Sequence, residues 1–119
     1  MQDTRRAVER YFAAWTTNNV PEAYAQLAPD LEFKGPNAHY HSAEEFKPAL
    51  AGFAAMTTAA RIVELIVDGD RAALLYDCDL PSPVHTLRIA AFFRIAHGKI
   101  VWYETLFDPT ELRTLLAKR

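Results

Sequence analysis

The sequence has little of what several common classes of protein require. Its 119 residues include one cysteine, Cys78, so no disulfide can form within the chain. No apolar run approaches the roughly 18 residues of a transmembrane helix, and the first residues lack the apolar core of a secretory signal. The chain has 13 basic and 15 acidic residues, and the basic residues are not concentrated in one stripe, which argues against nucleic acid as the main partner. We therefore expect a cytoplasmic protein with no membrane and no nucleic-acid partner.

The composition is that of a folded domain. Half of the residues are apolar and 24% are charged, a balance typical of globular proteins and not of disordered chains. The length suits a single domain over residues 1–119, which should bury roughly two-thirds of its unfolded surface. A core of that size needs no disulfides for stability.

The strongest structural signal is the stretch from Ala90 to Leu112. Two runs rich in β-branched and aromatic residues flank His97-Gly98, a dipeptide suited to a tight turn, which predicts a β-hairpin. The second run ends at Asp108-Pro109-Thr110-Glu111, where the aspartate can cap a helix and the proline suits its first turn. A long hairpin should therefore lead into a final helix.

The remaining elements follow from periodicity and from breaker residues. Apolar residues recur at helical spacing over 3–17, and Pro21 can open a second helix. Ser42 and Glu45 form a capping box for a third helix, in which Pro48 should cause a kink or an irregular first turn. Strands are predicted at 31–34, 61–67, 71–79, 84–96 and 99–107. This order indicates an α+β fold, a cone-shaped curved antiparallel sheet packed on the N-terminal helices.

Three segments carry a resemblance to known proteins. They read V-E-R-Y-F-A-A-W in the first helix, L-A-P-D-L-E-F-K-G-P through the first strand and F-R-I-A-H-G-K-I-V-W-Y-E-T-L-F-D-P in the last hairpin. With these segments and this element order, the chain resembles the nuclear transport factor 2-like (NTF2-like) superfamily, in its SnoaL-like and ketosteroid isomerase-like groups. The resemblance implies a cystatin-like α+β barrel with an apolar pocket. It implies no single reaction, because the superfamily hosts many activities.

Compared with the ketosteroid isomerases, the chain keeps one of three catalytic groups. Tyr11 falls where that family has its oxyanion-hole tyrosine. The family's general-base aspartate falls on Gly35, and its second oxyanion donor falls near Ala91. Glycine cannot take a proton and alanine cannot donate one, so isomerisation by that route is excluded. The epoxide hydrolases use an Asp-Arg-Asp constellation. This chain has Asp77, Asp79 and Arg88, but their spacing cannot be matched to that pattern.

Strand alternation determines which side chains should face the pocket if Ala91 does. The inward set is then Leu74, Tyr76, Cys78, His85, Leu87, Ile89, Phe93, Ile95, Val101, Tyr103, Thr105 and Phe107. The outward set is Asp77, Asp79, Arg88, Phe92, Arg94, Trp102, Glu104 and Leu106. A one-residue slip or a bulge would invert parts of these sets.

Four residues are candidates for catalysis: Tyr11, His39, His41 and His85. Tyr11 can donate a hydrogen bond to a ligand oxygen, although a core tyrosine bonded to the backbone fits the same pattern. His39 and His41 lie in a loop expected at the pocket mouth, where an imidazole can act as acid or base or simply be solvated. Two histidines are too few for a metal site unless His85 or His97 joins them, so we predict no metal and no cofactor.

Candidate ligand contacts are the aromatic residues expected around the pocket: Phe12, Trp15, Tyr40, Tyr76, Phe93 and Tyr103. Phe12 and Trp15 equally suit an apolar core. Together with the four candidate catalytic residues, these aromatic residues fit acid–base catalysis of isomerase, cyclase or hydrolase type on a hydrophobic small molecule. It also fits a non-catalytic ligand-binding or dimeric interaction module. Phe92, Trp102 and Leu106 would be a liability on a monomer surface, so we expect a homodimer through the outer sheet face.

Overall fold

The computed structural model describes residues 2–118, which form four helices and six strands. The helices are α1 (Gln2–Thr16), α2 (Val20–Ala25), α3 (Ala43–Met56) and α4 (Thr110–Ala117). The strands are β1 (Leu27–Lys34), β2 (His39–Tyr40), β3 (Ala59–Asp68), β4 (Arg71–Leu80), β5 (His85–Ala96) and β6 (Lys99–Leu106). Among these residues, no helix combines the length and the hydropathy needed to cross a membrane.

The six strands form one curved, unclosed sheet in the order β2-β1-β6-β5-β4-β3. All neighbouring pairs are antiparallel except β1 and β6, which run parallel. The helices α1 and α3 contact the sheet and share one buried cluster with its inward side chains. The predicted α+β cone is therefore confirmed.

Helix α3 begins where the sequence supplies a cap, whereas α4 has Pro109 at its N-cap and no side-chain cap there, and the predicted cap Asp108 accepts a hydrogen bond from Thr110 N at 3.0 Å. Ser42 Oγ accepts a hydrogen bond from Glu45 N at 3.0 Å, as the capping box predicts. The Glu45 carboxylate accepts in turn from His41 N at 2.8 Å. The first turn of α3 is regular and the helix continues through Pro48, so the expectation of an irregular first turn is wrong. Both Glu44 and Pro48 are exposed, so water can reach the carbonyl that the proline leaves without a donor.

The first strand starts earlier than predicted. β1 begins at Leu27, so Pro29 lies within it and does not close α2. The pairing of β1 with β6 shifts register between Leu27 and Glu32, and the irregular segment leaves Pro29 and Asp30 exposed. A proline is tolerated there because a bulge removes the need for its missing N–H.

Alternation on the long strands follows the prediction, with two corrections. His85 was expected to face inward but is exposed, because its φ of 61° at the start of β5 turns the side chain away from the alternating pattern. Val101 is the extra residue of a bulge, since Trp102 pairs with Arg94 and Ile100 with Ile95. Ile100 is buried in place of Val101.

The outward carboxylates of β4 form ion pairs on the outer sheet face. Asp77 accepts a hydrogen bond from Arg88 Nε at 2.8 Å, and Asp79 pairs with Arg61 at 3.1 Å. The guanidinium of Arg88 lowers the pKa of Asp77, and that of Arg61 lowers the pKa of Asp79. These carboxylates therefore have no part in the chemistry of the interior.

Candidate ligand-binding site

A cavity of about 470 Å³ lies between the concave side of the sheet and helices α1, α3 and α4. This volume is within the range of small-molecule sites. Asn37, Pro48, Gly52, Ala55 and Leu116 are the exposed members of the lining, so they mark its mouth. The other lining residues are Tyr11, Trp15, Phe33, Gly35, Pro36, Ala38, Tyr40, Phe46, Ala49, Leu50, Phe53, Met56, Tyr76, Ile89, Tyr103, Thr105, Phe107 and Leu112.

Three phenols form the most deeply buried polar part of this lining, which we call the tyrosine cluster: Tyr11, Tyr76 and Tyr103. Their exposed fractions are 1%, 2% and 4%. Tyr11 projects from α1, while Tyr76 and Tyr103 project from β4 and β6 opposite the inward residues Ile89 and Phe93. The rings of Tyr11 and Tyr103 meet edge to face, with centroids 5.3 Å apart.

Burial controls the ionisation of the cluster. It raises the pKa of Tyr103 to about 12, because the phenolate would lose its hydration. Burial also raises the pKa values of Tyr11 and Tyr76 well above 10.0, and charge repulsion from Tyr103 adds to both shifts. All three phenols are therefore protonated at neutral pH, and hydrogen bonding of Tyr11 and Tyr76 to Tyr103 within the cluster contributes to the shifts.

Aromatic contacts hold the cluster in place. The Tyr103 ring stacks on Phe93 at 4.8 Å and meets Phe33 edge to face at 5.1 Å. Phe33 itself stacks on Phe46 of α3 at 4.4 Å. Aromatic pairs at such distances add about 0.5–1.5 kcal/mol each beyond the burial of their area. These contacts therefore stabilise the cavity wall on the side of β1 and β6.

The lining contains several of the predicted ligand contacts. Trp15, Tyr40, Tyr76 and Tyr103 line the cavity together with Tyr11. Phe12 and Phe93 are outside the lining and are buried behind it in the core. The Phe12 ring packs edge to face on Tyr76 at 5.1 Å, and Phe93 supports Tyr103 as described.

The three candidate histidines lie away from the cavity. His39 and His41 flank Tyr40, and because Tyr40 faces inward in β2, alternation turns both imidazoles to the outer face. Both are exposed and contact the carboxylate of Glu32, and His85 is exposed as well. The expectation that this loop forms part of the mouth holds for Asn37, whereas its histidines point away. Among the lining residues there is no carboxylate, imidazole, ammonium or guanidinium group.

The loop after β1 contributes features that the sequence did not reveal. Gly35 lies in the lining, and a Cβ added there would meet Thr105 Oγ1 at 3.1 Å and the Phe33 ring at 3.2 Å. A side chain at this position would therefore require the Phe33 ring or the Thr105 hydroxyl to move by a few tenths of an ångström. Asn37 Oδ1 accepts a hydrogen bond from Arg113 Nε at 3.0 Å, which links the loop to α4. The one sequence signal for this loop was the Gly35-Pro36 dipeptide, which indicates that the strand ends there.

The family is shown by comparison with known sequences. A protein-family model described as SnoaL-like domain matches residues 8–103. The chain belongs to the SnoaL-like family. No curated protein sequence matches this SnoaL-like chain at a significant level.

Solved structures show the same fold. A protein from Kribbella flavida has 21% identity and a TM-score of 0.88, covering 96% of this chain and 93% of its own. An NTF2-like protein from Cytophaga hutchinsonii has 24% identity and a TM-score of 0.79, with coverages of 95% and 94%. An LEH-like epoxide hydrolase from M. tuberculosis has 19% identity and a TM-score of 0.79, with coverages of 98% and 95%.

Proposed function

We propose that this SnoaL-like protein binds a hydrophobic small molecule in the cavity, with an oxygen of that molecule accepting a hydrogen bond from the tyrosine cluster. The observation that carries the proposal is the lining itself. Its walls are apolar, its deepest polar groups are protonated phenols, and its side chains include no charged group. An apolar ligand that bears a carbonyl, hydroxyl or ether oxygen complements such a surface.

Selection among ligands follows from the cost of leaving a buried donor unpaired. A hydrogen bond to a neutral partner contributes about 0.5–1.5 kcal/mol, which corresponds to about 2–13-fold in affinity. A hydrocarbon of the same shape would fill the cavity but leave the O–H of Tyr103, which accepts from Tyr11 and Tyr76, without an acceptor. The cavity should therefore prefer an oxygenated ligand over its hydrocarbon counterpart.

Acid–base catalysis is the second candidate, and the tyrosine cluster is the observation that favours it. A phenol that donates to a carbonyl or epoxide oxygen would polarise the substrate. The lining offers no proton acceptor of suitable pKa, since the three histidines lie outside it. Catalysis would thus depend on water or on a group of the substrate as base, and ligand binding is the better supported function.

The test compares two ligands of matched shape, 2-decalone and decalin. Trp15 lines the cavity, so its fluorescence reports occupancy, and a Trp102→Phe background removes emission from the outer face. The parent protein should bind 2-decalone more tightly than decalin. Tyr11→Phe should reduce that preference by about 2–13-fold. The control is Tyr24→Phe, which removes a partly buried phenol outside the cavity and should leave the preference unchanged.

Two results would contradict the proposal. One is that neither molecule changes Trp15 emission at its solubility limit. The other is that Tyr11→Phe leaves the preference for the ketone intact. Turnover of a panel of ketones, lactones and epoxides, abolished by Tyr11→Phe, would instead favour catalysis.

We also propose that the protein forms a homodimer through an outer patch made of Ile66, Phe92, Trp102 and Leu106. Strand pairing puts these residues on the side opposite the cavity, and three of them are exposed. Phe92→Glu should convert a dimer to a monomer in sedimentation velocity at micromolar concentration. Ile62→Glu is a matched control, because Ile62 is equally exposed at 42% but pairs with the inward Tyr76. A monomeric parent would refute the dimer.

A further inference from the structure

A second group of side chains converges on the outer face of the sheet at its β2 edge. Glu32 of β1 contacts His39 Nε2 through Oε2 at 2.9 Å, and both of its carboxylate oxygens lie 3.1 Å from His41 Nδ1. The two imidazole rings are 4.5 Å apart between centroids. One oxygen and two nitrogens thus occupy a single small volume.

The hairpin register brings these residues together. Lys34 pairs with His39 and Phe33 with Tyr40, so the inward direction of Tyr40 sends its two neighbours outward. Glu32 is outward because its partner on β6 is the outward Trp102. Tyr40 packs inward on Phe33 at 6.0 Å, which fixes the strand from the other side.

We propose that Glu32, His39 and His41 form a binding site for a divalent transition-metal ion of the zinc class. One ligand atom from each residue lies within 4.8 Å of the others. With metal–ligand bonds of about 2.0–2.1 Å, the ligand atoms of a tetrahedral site lie roughly 3.3 Å apart. The two contacts of Glu32 Oε2, at 2.9 Å to His39 Nε2 and 3.1 Å to His41 Nδ1, are within a few tenths of an ångström of that spacing, and the two imidazole nitrogens lie within 4.8 Å of each other.

The donor set selects the ion. Two imidazoles and one carboxylate suit Zn²⁺ and its neighbours Ni²⁺ and Cu²⁺. Mg²⁺ and Ca²⁺ prefer oxygen ligands and would gain little from the histidines.

The surroundings indicate moderate affinity. All three side chains are partly or largely exposed, and Lys34 brings a positive charge to the same face opposite His39. Three protein ligands leave a coordination position for water. The bound ion would fasten β2 to β1, and this hairpin carries Tyr40 and Asn37 of the cavity lining. Metal binding would therefore stabilise one wall of the cavity without entering it.

The test uses tag-free protein freed of metal with a chelator and then titrated with ZnCl₂ by calorimetry. One ion should bind per chain, and Zn²⁺ should raise the melting temperature while Mg²⁺ should not. Glu32→Gln, His39→Ala and His41→Ala should each weaken Zn²⁺ binding by at least about tenfold. These exposed substitutions should leave the circular dichroism spectrum unchanged.

His97→Asn provides the control, since His97 is exposed in the β5–β6 turn and asparagine tolerates its φ of 52°. This variant should bind Zn²⁺ as the parent does. Lys34→Gln should tighten binding by removing the nearby charge. The proposal is overturned if the parent shows no saturable Zn²⁺ binding, or if His39→Ala and His41→Ala bind Zn²⁺ with the parent affinity.

Discussion

Alkali should destabilise this fold steeply because of the tyrosine cluster. A phenol in the unfolded chain ionises near pH 10, whereas burial raises the pKa of Tyr103 to about 12 and those of Tyr11 and Tyr76 well above 10.0. Since the folded pKa values are the higher ones, the contribution of each phenol to stability is complete below pH 10. This contribution is lost progressively as the pH rises from 10 through the pKa of the phenol in the folded protein.

The size of the effect follows from the number of phenols involved. Each pH unit above 10 favours the unfolded state by about 1.4 kcal/mol per phenol until the folded form also ionises. At pH 11 the loss is therefore about 1.4 kcal/mol for each phenol, or roughly 4 kcal/mol for the cluster. That is a large part of the 5–15 kcal/mol by which domains are typically stable.

The assay is urea unfolding followed by circular dichroism between pH 8 and 11.5, with tyrosinate absorbance at 295 nm recorded in parallel. The background is Cys78→Ala, because burial also raises the pKa of that thiol, to about 12. Tyr103→Phe should reduce the slope of the free energy of unfolding against pH, above pH 10, by about a third. Phe93→Leu is the control, since it loosens the same core without removing a phenol. A free energy of unfolding that stays constant from pH 10 to 11.5 would refute the reasoning.

Three further outcomes are expected in urea unfolding. Ser42→Ala removes the cap of α3 and should cost about 1 kcal/mol, whereas no change would mean that the 3.0 Å contact contributes nothing. Phe46→Ala should cost about 3–5 kcal/mol, because the ring is buried against Phe33. Arg88 lowers the pKa of Asp77, so the ion pair stabilises the fold above about pH 4, and this stabilisation is lost as the pH falls and Asp77 is protonated. Asp77→Asn should therefore make the free energy of unfolding depend less on pH in the acidic range.

Prediction from sequence succeeded where local signals and alternation were sufficient. The hairpin, the capping box and the burial of Leu74, Tyr76 and Cys78 depend on neighbours in sequence and on a period of two. The same rule failed at His85 and at Val101. A positive φ and a bulge each shift the parity of a strand, and neither has a reliable signature in one sequence.

The histidines show a second limit. The sequence places His39 and His41 in the loop next to the cavity but cannot tell which side of the sheet they occupy. Pairing with β1 decides this, because Tyr40 is the residue that fits against Phe33. The same pairing supplies Glu32 as the third member of the group, seven residues before His39.

The sequence by itself determined the family, an aromatic interior and the order of the elements other than β2, because these depend on periodicity, on caps and on residue type. Tertiary structure alone decided that an open cavity remains, that Tyr11, Tyr76 and Tyr103 meet in it and that the histidines lie outside it. The physical reason is that these properties depend on the curvature and register of a sheet whose pairing partners are distant in sequence. A shift of one residue there reverses which side chains face the interior.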